Sequence, residues 1–163
     1  DLGVAHTYSN PNTPQQNGIA DARNKSVERI MRTLLLQADA PGSYWGYAIV
    51  HANHLNNLFP HRLLTDATPF TTWHGSPPSM HRLRVWGSVG HVLLNAKEKR
   101  AAGGKVGPRT KPAVLVGLNP EGPGWLLLDG ETQRELHASS VTFQEHVSFF
   151  KRRSDRRDDE TLD

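Results

Sequence analysis

The sequence predicts an α+β chain in which helices come first and a small β-barrel follows. Three observations carry this. Apolar residues recur at helical spacing from Ile19 to Phe59, the pattern changes at Leu83 to alternating or short apolar runs, and Gly- and Pro-rich turns separate those runs. The 163 residues suffice for one ordinary domain or two small ones. With 36% hydrophobic and 21% charged residues the composition is that of a soluble globular protein, and no apolar run is long enough to cross a bilayer. The absence of cysteine excludes disulfides, thiolate zinc sites and cysteine nucleophiles.

Residues 1 to 12 are turn-rich, with Gly3, Ser9, Asn10, Pro11 and Asn12. Thr13, Pro14 and Gln16 then form a capping box with proline at the first helical position. Ile19, Ala22, Ser26, Ile30, Leu34 and Ala38 make the apolar stripe of the helix that follows, widened by Val27, Met31 and Leu35. Its polar face carries Asn17, Asp21, Asn24, Lys25, Glu28 and Arg32. Ala40-Pro41-Gly42 ends it. Ser43 is placed to cap a second helix holding Trp45, Ala48, Ile49, Ala52, Leu55 and Phe59, which Pro60 stops. Thr68-Pro69 starts a short third helix that runs to about Trp73.

Strands are expected at Val85 to Leu94, Ala113 to Gly117, Trp125 to Leu128 and Val141 to Phe143. The turns between them are Lys105 to Pro108, Asn119 to Gly124 and Asp129 to Thr132. From Lys151 to Asp163 five cations alternate with five anions and no apolar period, the pattern of a disordered tail. The expected organisation is a helical part over residues 1–80, a barrel over 81–148 and a charged tail over 149–163.

Charge is unevenly distributed. Between His81 and Pro112 stand eight cations and one anion, Glu98, a local balance of +7; with +3 overall, the remainder carries −4. Concentrated positive charge beside an acidic remainder points to a polyanion-facing surface, because non-specific nucleic-acid affinity comes largely from neutralised phosphates.

Four blocks in fixed order resemble the copia-type retrotransposon integrases. The first is Thr13-Pro14-Gln15-Gln16-Asn17-Gly18-Ile19-Ala20-Asp21-Ala22-Arg23-Asn24-Lys25, similar to the family segment that ends on the last catalytic acid. The second runs from Tyr44-Trp45 through Ala48 to Leu55-Asn56. The third comprises Thr68-Pro69-Phe70, Trp73, Gly75 and Leu83-Arg84-Val85-Trp86-Gly87. Val114 to Gly117, Gly124-Trp125, Asp129, Thr132 and Val141 to Glu145 form the fourth. The resemblance implies the C-terminal helices of a ribonuclease-H-like catalytic core followed by an SH3-like barrel, cut from a longer polyprotein.

The same resemblance places Asp21 where the family has Glu, and Ala22 where a basic residue usually follows. It implies two further acids on upstream strands, farther back than Asp1. Strand transfer by this family uses two divalent metals, Mg²⁺ in the intact enzyme, about 4 Å apart, and hard cations need several converging oxygens. One acid on one helix supplies too few. Asp for Glu also withdraws the carboxylate by about 1.5 Å, where sites tolerate about 0.5 Å. The chain on its own is therefore expected to be inactive, to hold no cofactor and to use Asp21 as a solvated acid near a helix N-terminus. Helices without their central strands are further expected to leave apolar faces uncovered, giving a loose helical half.

The resemblance implies that Asn17, Asn24, Lys25 and Arg32, on the face of Asp21, approach DNA and contact phosphates and sugars. Arg82, Arg84, Lys97, Lys99, Arg100, Lys105 and Lys111 make the barrel segment the stronger candidate for weak, non-specific, salt-dependent nucleic-acid binding. Trp86 is expected to plug the barrel, and Tyr44 and Trp45 to pack in the core. His51 and His54 have a helical i, i+3 spacing without a third ligand, so structural or surface roles are expected; His6 and His81 are assigned to loop packing. The expected function is that of a truncated integrase fragment in the nucleus or cytoplasm, neither secreted nor membrane-bound, and oligomeric if part of an intact integrase. The alternative is a host-recruited module whose SH3-like barrel binds a protein or peptide and not nucleic acid.

Overall fold

A computed structural model describes residues 18–61, 64 and 67–151, and in it an α-helical layer covers one face of an antiparallel sheet. Helix α1 spans Gly18–Ala38, α2 Trp45–Leu58 and α3 Pro69–His74; strands β1 Ser88–Leu93, β2 Thr110–Leu118, β3 Trp125–Asp129, β4 Glu135–Ala138 and β5 Val141–Ser148 follow, with helix α4, Ala96–Ala101, between β1 and β2. The strand order is β4-β3-β2-β1-β5, every pair antiparallel. No helix among the described residues is long and apolar enough to cross a membrane.

The helix ends follow local chemistry. Ala40 N–H donates to Leu35 C=O and Asp39 N–H to Leu36 C=O, with Asp39 at φ 54°, so α1 closes in a Schellman motif with Asp in the position glycine usually takes. The capping box at Thr13 lies outside the described residues. Ser43 does not cap α2: it sits inside a 3-10 turn, Gly42–Tyr44, and Tyr44 holds the cap position. For α3, Thr68 Oγ1 accepts from Thr71 N–H at 3.0 Å and Gly75 ends the helix at φ 69°.

The sheet is open in its hydrogen bonding yet strongly curled, so the closed barrel expected from the sequence is replaced by a five-stranded roll with two unpaired edges. In a flat sheet β3 and β5, three strand spacings apart, would stand about 14 Å from each other. Instead the rings of Trp125 on β3 and Phe143 on β5 have centroids 5.1 Å apart. A side chain at Gly90 of β1 would come within 2.8 Å of Leu127 and 2.9 Å of Val141, which shows how tightly this concave face is filled. Glycine fits because it leaves that space to its neighbours.

On the convex face the sheet shares one core with the helices. Val27, Leu34 and Ala38 of α1 and Ala48 and Ala52 of α2 pack with Trp86, Val89, Val114, Val116 and Leu128. β2 is buried from Ala113 to Val116 because alternate residues serve the two faces: Val114 and Val116 meet the helices, Leu115 the interior of the roll. Trp86 is buried and its Nε1–H donates to Val116 C=O at 2.9 Å, but it lies in this helix–sheet core and not inside the barrel it was expected to plug. Gly87, at φ 80°, lets the chain run against Ala38, whose Cβ would lie 2.5 Å from any added side chain.

Three expectations do not hold. The apolar faces of α1 and α2 are not left without a sheet; they pack on the roll built by the second half of the chain. Phe149 and Phe150, expected to open a disordered tail, are buried, and Phe149 N–H donates to Gly87 C=O at 2.9 Å. Trp45, expected in the core, is 58% exposed, while Tyr44 packs edge-on against Phe150 at 4.7 Å.

Candidate nucleic-acid interface

The basic segment read from the sequence divides in two. Residues 95–109 form a spur between β1 and β2, closed at its base by Leu94 N–H donating to Arg109 C=O at 2.9 Å. Its helix α4 starts in a capping box: Asn95 Oδ1 accepts from Glu98 N–H at 2.9 Å, and Glu98 Oε2 accepts from Asn95 N–H at 2.8 Å. Between the first two strands the sequence pattern predicts only the turn at Lys105 to Pro108, although Asn95 and Glu98 at that spacing carry the signal of a helix start. Gly103 and Gly104, both at positive φ, then reverse the chain.

Lys97, Lys99, Arg100, Lys105 and Arg109 all project from this spur as exposed side chains. The spur's acid, Glu98, pairs with Lys111, whose Nζ lies 2.6 Å from Glu98 Oε1 and is shared with Asp129 Oδ2 at 2.8 Å. These hydrogen bonds, to Asp129 first and Glu98 second, hold the Lys111 ammonium above its ordinary range. The result is five exposed cations against a Glu98–Lys111–Asp129 triad of net −1, an excess of positive charge on the spur. Arg109, present in the charge count but not among the expected contacts, is one of them.

Three expected contacts serve the fold instead. Arg82 Nη2 donates to Gly124 C=O at 3.0 Å and Gly122 C=O at 3.3 Å, pinning the β2–β3 hairpin. Arg84 donates to His81 and Leu83 carbonyls, stands 3.6 Å from Glu145 and lies over the rings of Trp125 and Phe143 at 5.7 and 5.9 Å. Lys111 is held between its two acids. Arg84 and Lys111 meet carboxylates distant in sequence, whereas Arg82 reaches carbonyls only.

On α1, Asp21, Asn24, Lys25 and Arg32 are all exposed on one side of the helix, and Arg32 makes only a surface pair with Glu28 at 3.7 Å. Asn17 lies outside the described residues. Asp21 has no set of ligands around it, since no three His, Asp or Glu side chains among the described residues converge to hold a metal ion. The described residues therefore do not fit a Mg²⁺ pair. His51 and His54 also remain two without a third: their rings are 6.4 Å apart, with His51 buried and His54 half-buried. Burial, then the neighbouring His54, pushes His51 down to about 4; burial, then Arg82, lowers His54.

A spur with an excess of exposed cations is a surface suited to a polyanion, and the homologues of this chain are Pol polyproteins of copia-type retrotransposons. It is 29% identical over 144 residues to the retrovirus-related Pol polyprotein from transposon RE1 of Arabidopsis thaliana, and 30% identical over 145 residues to that from transposon TNT 1-94 of Nicotiana tabacum. Transposon RE2 of Arabidopsis thaliana provides a third relative, 29% identical over 143 residues. Each alignment covers 88% of this chain and 10% of the relative, so the chain spans about a tenth of the length of the curated relatives it matches. No family model and no solved structure matches it.

Proposed function

We propose that this chain is a segment of a retrotransposon integrase whose remaining role is to hold nucleic acid through the α4 spur. The observation that carries the reading is the set of five exposed cations in residues 95–109, whose one acid, Glu98, is tied up in a salt bridge to Lys111. The similarity to Pol polyproteins supports it. In this reading α1 to α3 are the C-terminal helices of a ribonuclease-H-like core, and the curled sheet is an SH3-like domain. Asp21 alone supplies no catalytic site, so strand transfer in a longer polyprotein depends on acids contributed by its other parts. The contacts are to phosphates, which position a duplex without reading its sequence.

Fluorescence anisotropy with two labelled duplexes of about 30 base pairs and unrelated sequence, titrated from low to moderate salt, tests this. Both are expected to bind alike, with the logarithm of affinity falling linearly with the logarithm of salt concentration. Changing Lys97, Lys99 and Arg100 together to Gln is expected to lower that slope by about 2.7, at about 0.9 for each phosphate no longer neutralised. Binding indifferent to salt and to the triple change would overturn the proposal.

A further inference from the structure

A second surface differs in character from the spur. Between α2 and the β2–β3 hairpin lies a groove of about 690 Å³ walled by Val50, Val116, Leu118 and Leu126. No Asp or Glu lines it, while Arg82, His51 and His54 do. His51 is only 4% exposed, and its Nδ1 has no hydrogen-bond partner; the Nε of Arg82 is likewise buried and unpaired. Buried polar groups without partners cost the fold free energy, so they mark places where a ligand group gains most.

Glycines give this groove its depth. Gly46 of α2 and Gly117 of β2 both border it; a side chain at Gly46 would meet nothing within 4 Å, and one at Gly117 would touch only Leu126 Cβ, at 4.0 Å. Neither glycine has a positive φ, so neither is required by the backbone. Trp45 and Val50, 58% and 71% exposed, extend the apolar surface along the rim. A polynucleotide backbone needs several exposed cations, whereas the one arginine here is already bound to two carbonyls.

We propose that the groove receives a short extended peptide segment of a partner protein, an aliphatic side chain entering between Gly46 and Gly117 and an adjacent carboxylate facing His51, His54 and Arg82. The carboxylate pairs with Arg82, the one cation of a wall whose histidines are neutral, and accepts from His51 in its Nδ1–H tautomer, while the aliphatic group displaces water from Val50 and Leu118. This binding is independent of the spur, and its failure leaves the nucleic-acid reading untouched.

The test titrates the isotope-labelled full chain with an acetylated, amidated peptide Leu-Leu-Glu-Leu and with its Leu-Leu-Gln-Leu counterpart, followed by amide chemical shifts. We expect shifts at Gly46, Val50, His51 and Leu118, and affinity for the Glu peptide about fivefold higher, the margin of a charge-assisted over a neutral hydrogen bond, since the Gln side chain also accepts. Gly46→Leu, which also favours the helix, and Gly117→Val, approaching from the other wall, should each abolish those shifts while the melting temperature is maintained. Equal binding of both peptides, shifts that survive in the folded variants, no shifts at millimolar peptide, or the same amides responding to a DNA duplex instead would each overturn the proposal.

Discussion

Lys111 and Asp129 are joined across the β2–β3 pair, Nζ to Oδ2 at 2.8 Å, and this contact links the spur to the sheet because the same ammonium also holds Glu98 at 2.6 Å. Asp129 has a second role through its other oxygen, accepting the amides of Glu131 and Thr132 at 3.0 Å each and so forming the β3–β4 turn. Burial opposes its ionisation, but the Lys111 hydrogen bond and those two amides outweigh it and bring the carboxyl down to about 2.

The pH dependence of Asp129 follows from that depression. Between its ordinary 3.8 and about 2 the unfolded chain binds the proton first, so the contribution is complete above pH 4 and lost as pH falls towards 2. At about 1.36 kcal/mol per unit this amounts to about 2 kcal/mol. Asp129→Asn should lower stability at pH 7 by about that amount and flatten the acid limb of a denaturant titration followed from pH 4 to pH 2.

His51 acts at higher pH. Its folded value of about 4 lies below the ordinary 6.5, so the unfolded state takes up the proton first and stability declines as pH falls from 6.5 to 4. The loss is about 3 kcal/mol by the same conversion. Chemical unfolding of the chain and of His51→Phe at pH 7 and pH 4.5 should show the full decline in the first and a smaller one in the second, where His54 still contributes. An equal decline in both would assign the effect to other groups.

The two kinds of arginine in the basic segment should separate experimentally. Arg84→Gln removes the contact to Glu145 and the stacking over Trp125 and Phe143, and is expected to cost about 1 kcal/mol of stability. DNA affinity should be unchanged. Arg100→Gln, on the exposed face of α4, should do the reverse: stability is kept and the salt slope falls by about 0.9. Thermal melts and anisotropy on the same two variants check both halves.

Much of the local structure was legible in the sequence because short-range chemistry determines it. Thr68-Pro69 set the start of α3, and the period of Val27, Leu34 and Ala38 identified the buried side of α1. Trp45 fits the helical period yet faces solvent, since the period locates a stripe without saying which edge of it the sheet covers. β4 was missed because Glu135 and His137 make it polar and half-exposed. Phe149 and Phe150 were hidden by the charged run that follows them. The site was less legible for a related reason: whether a cation is free depends on partners 13 to 60 residues away, as with Glu98 and Lys111 or Glu145 and the Arg84–Val85 segment, and no local pattern reports those distances.

Helix α1 should be protected unevenly. Its first turns, Gly18 to Lys25, are exposed on every side, and Ile19 is 80% exposed. From Val27 onward the helix enters the shared core, and at its end Ser148 Oγ donates to Ala38 C=O while Gly87 packs against Ala38. Arg23 adds one tie to α2, donating to Asn57 Oδ1 at 2.6 Å, but that contact is exposed and contributes little against fraying. Amides that open only with the whole fold exchange far more slowly than those that open locally. Hydrogen exchange is therefore expected to be slow for Ile30 to Ala38 and for Ala48 to Leu55, and fast for Ala20 to Lys25. Uniformly fast exchange throughout α1 and α2 would mean that the helices do not share the core of the roll, and the common packing of Leu34, Ala52 and Val116 would then have to be abandoned.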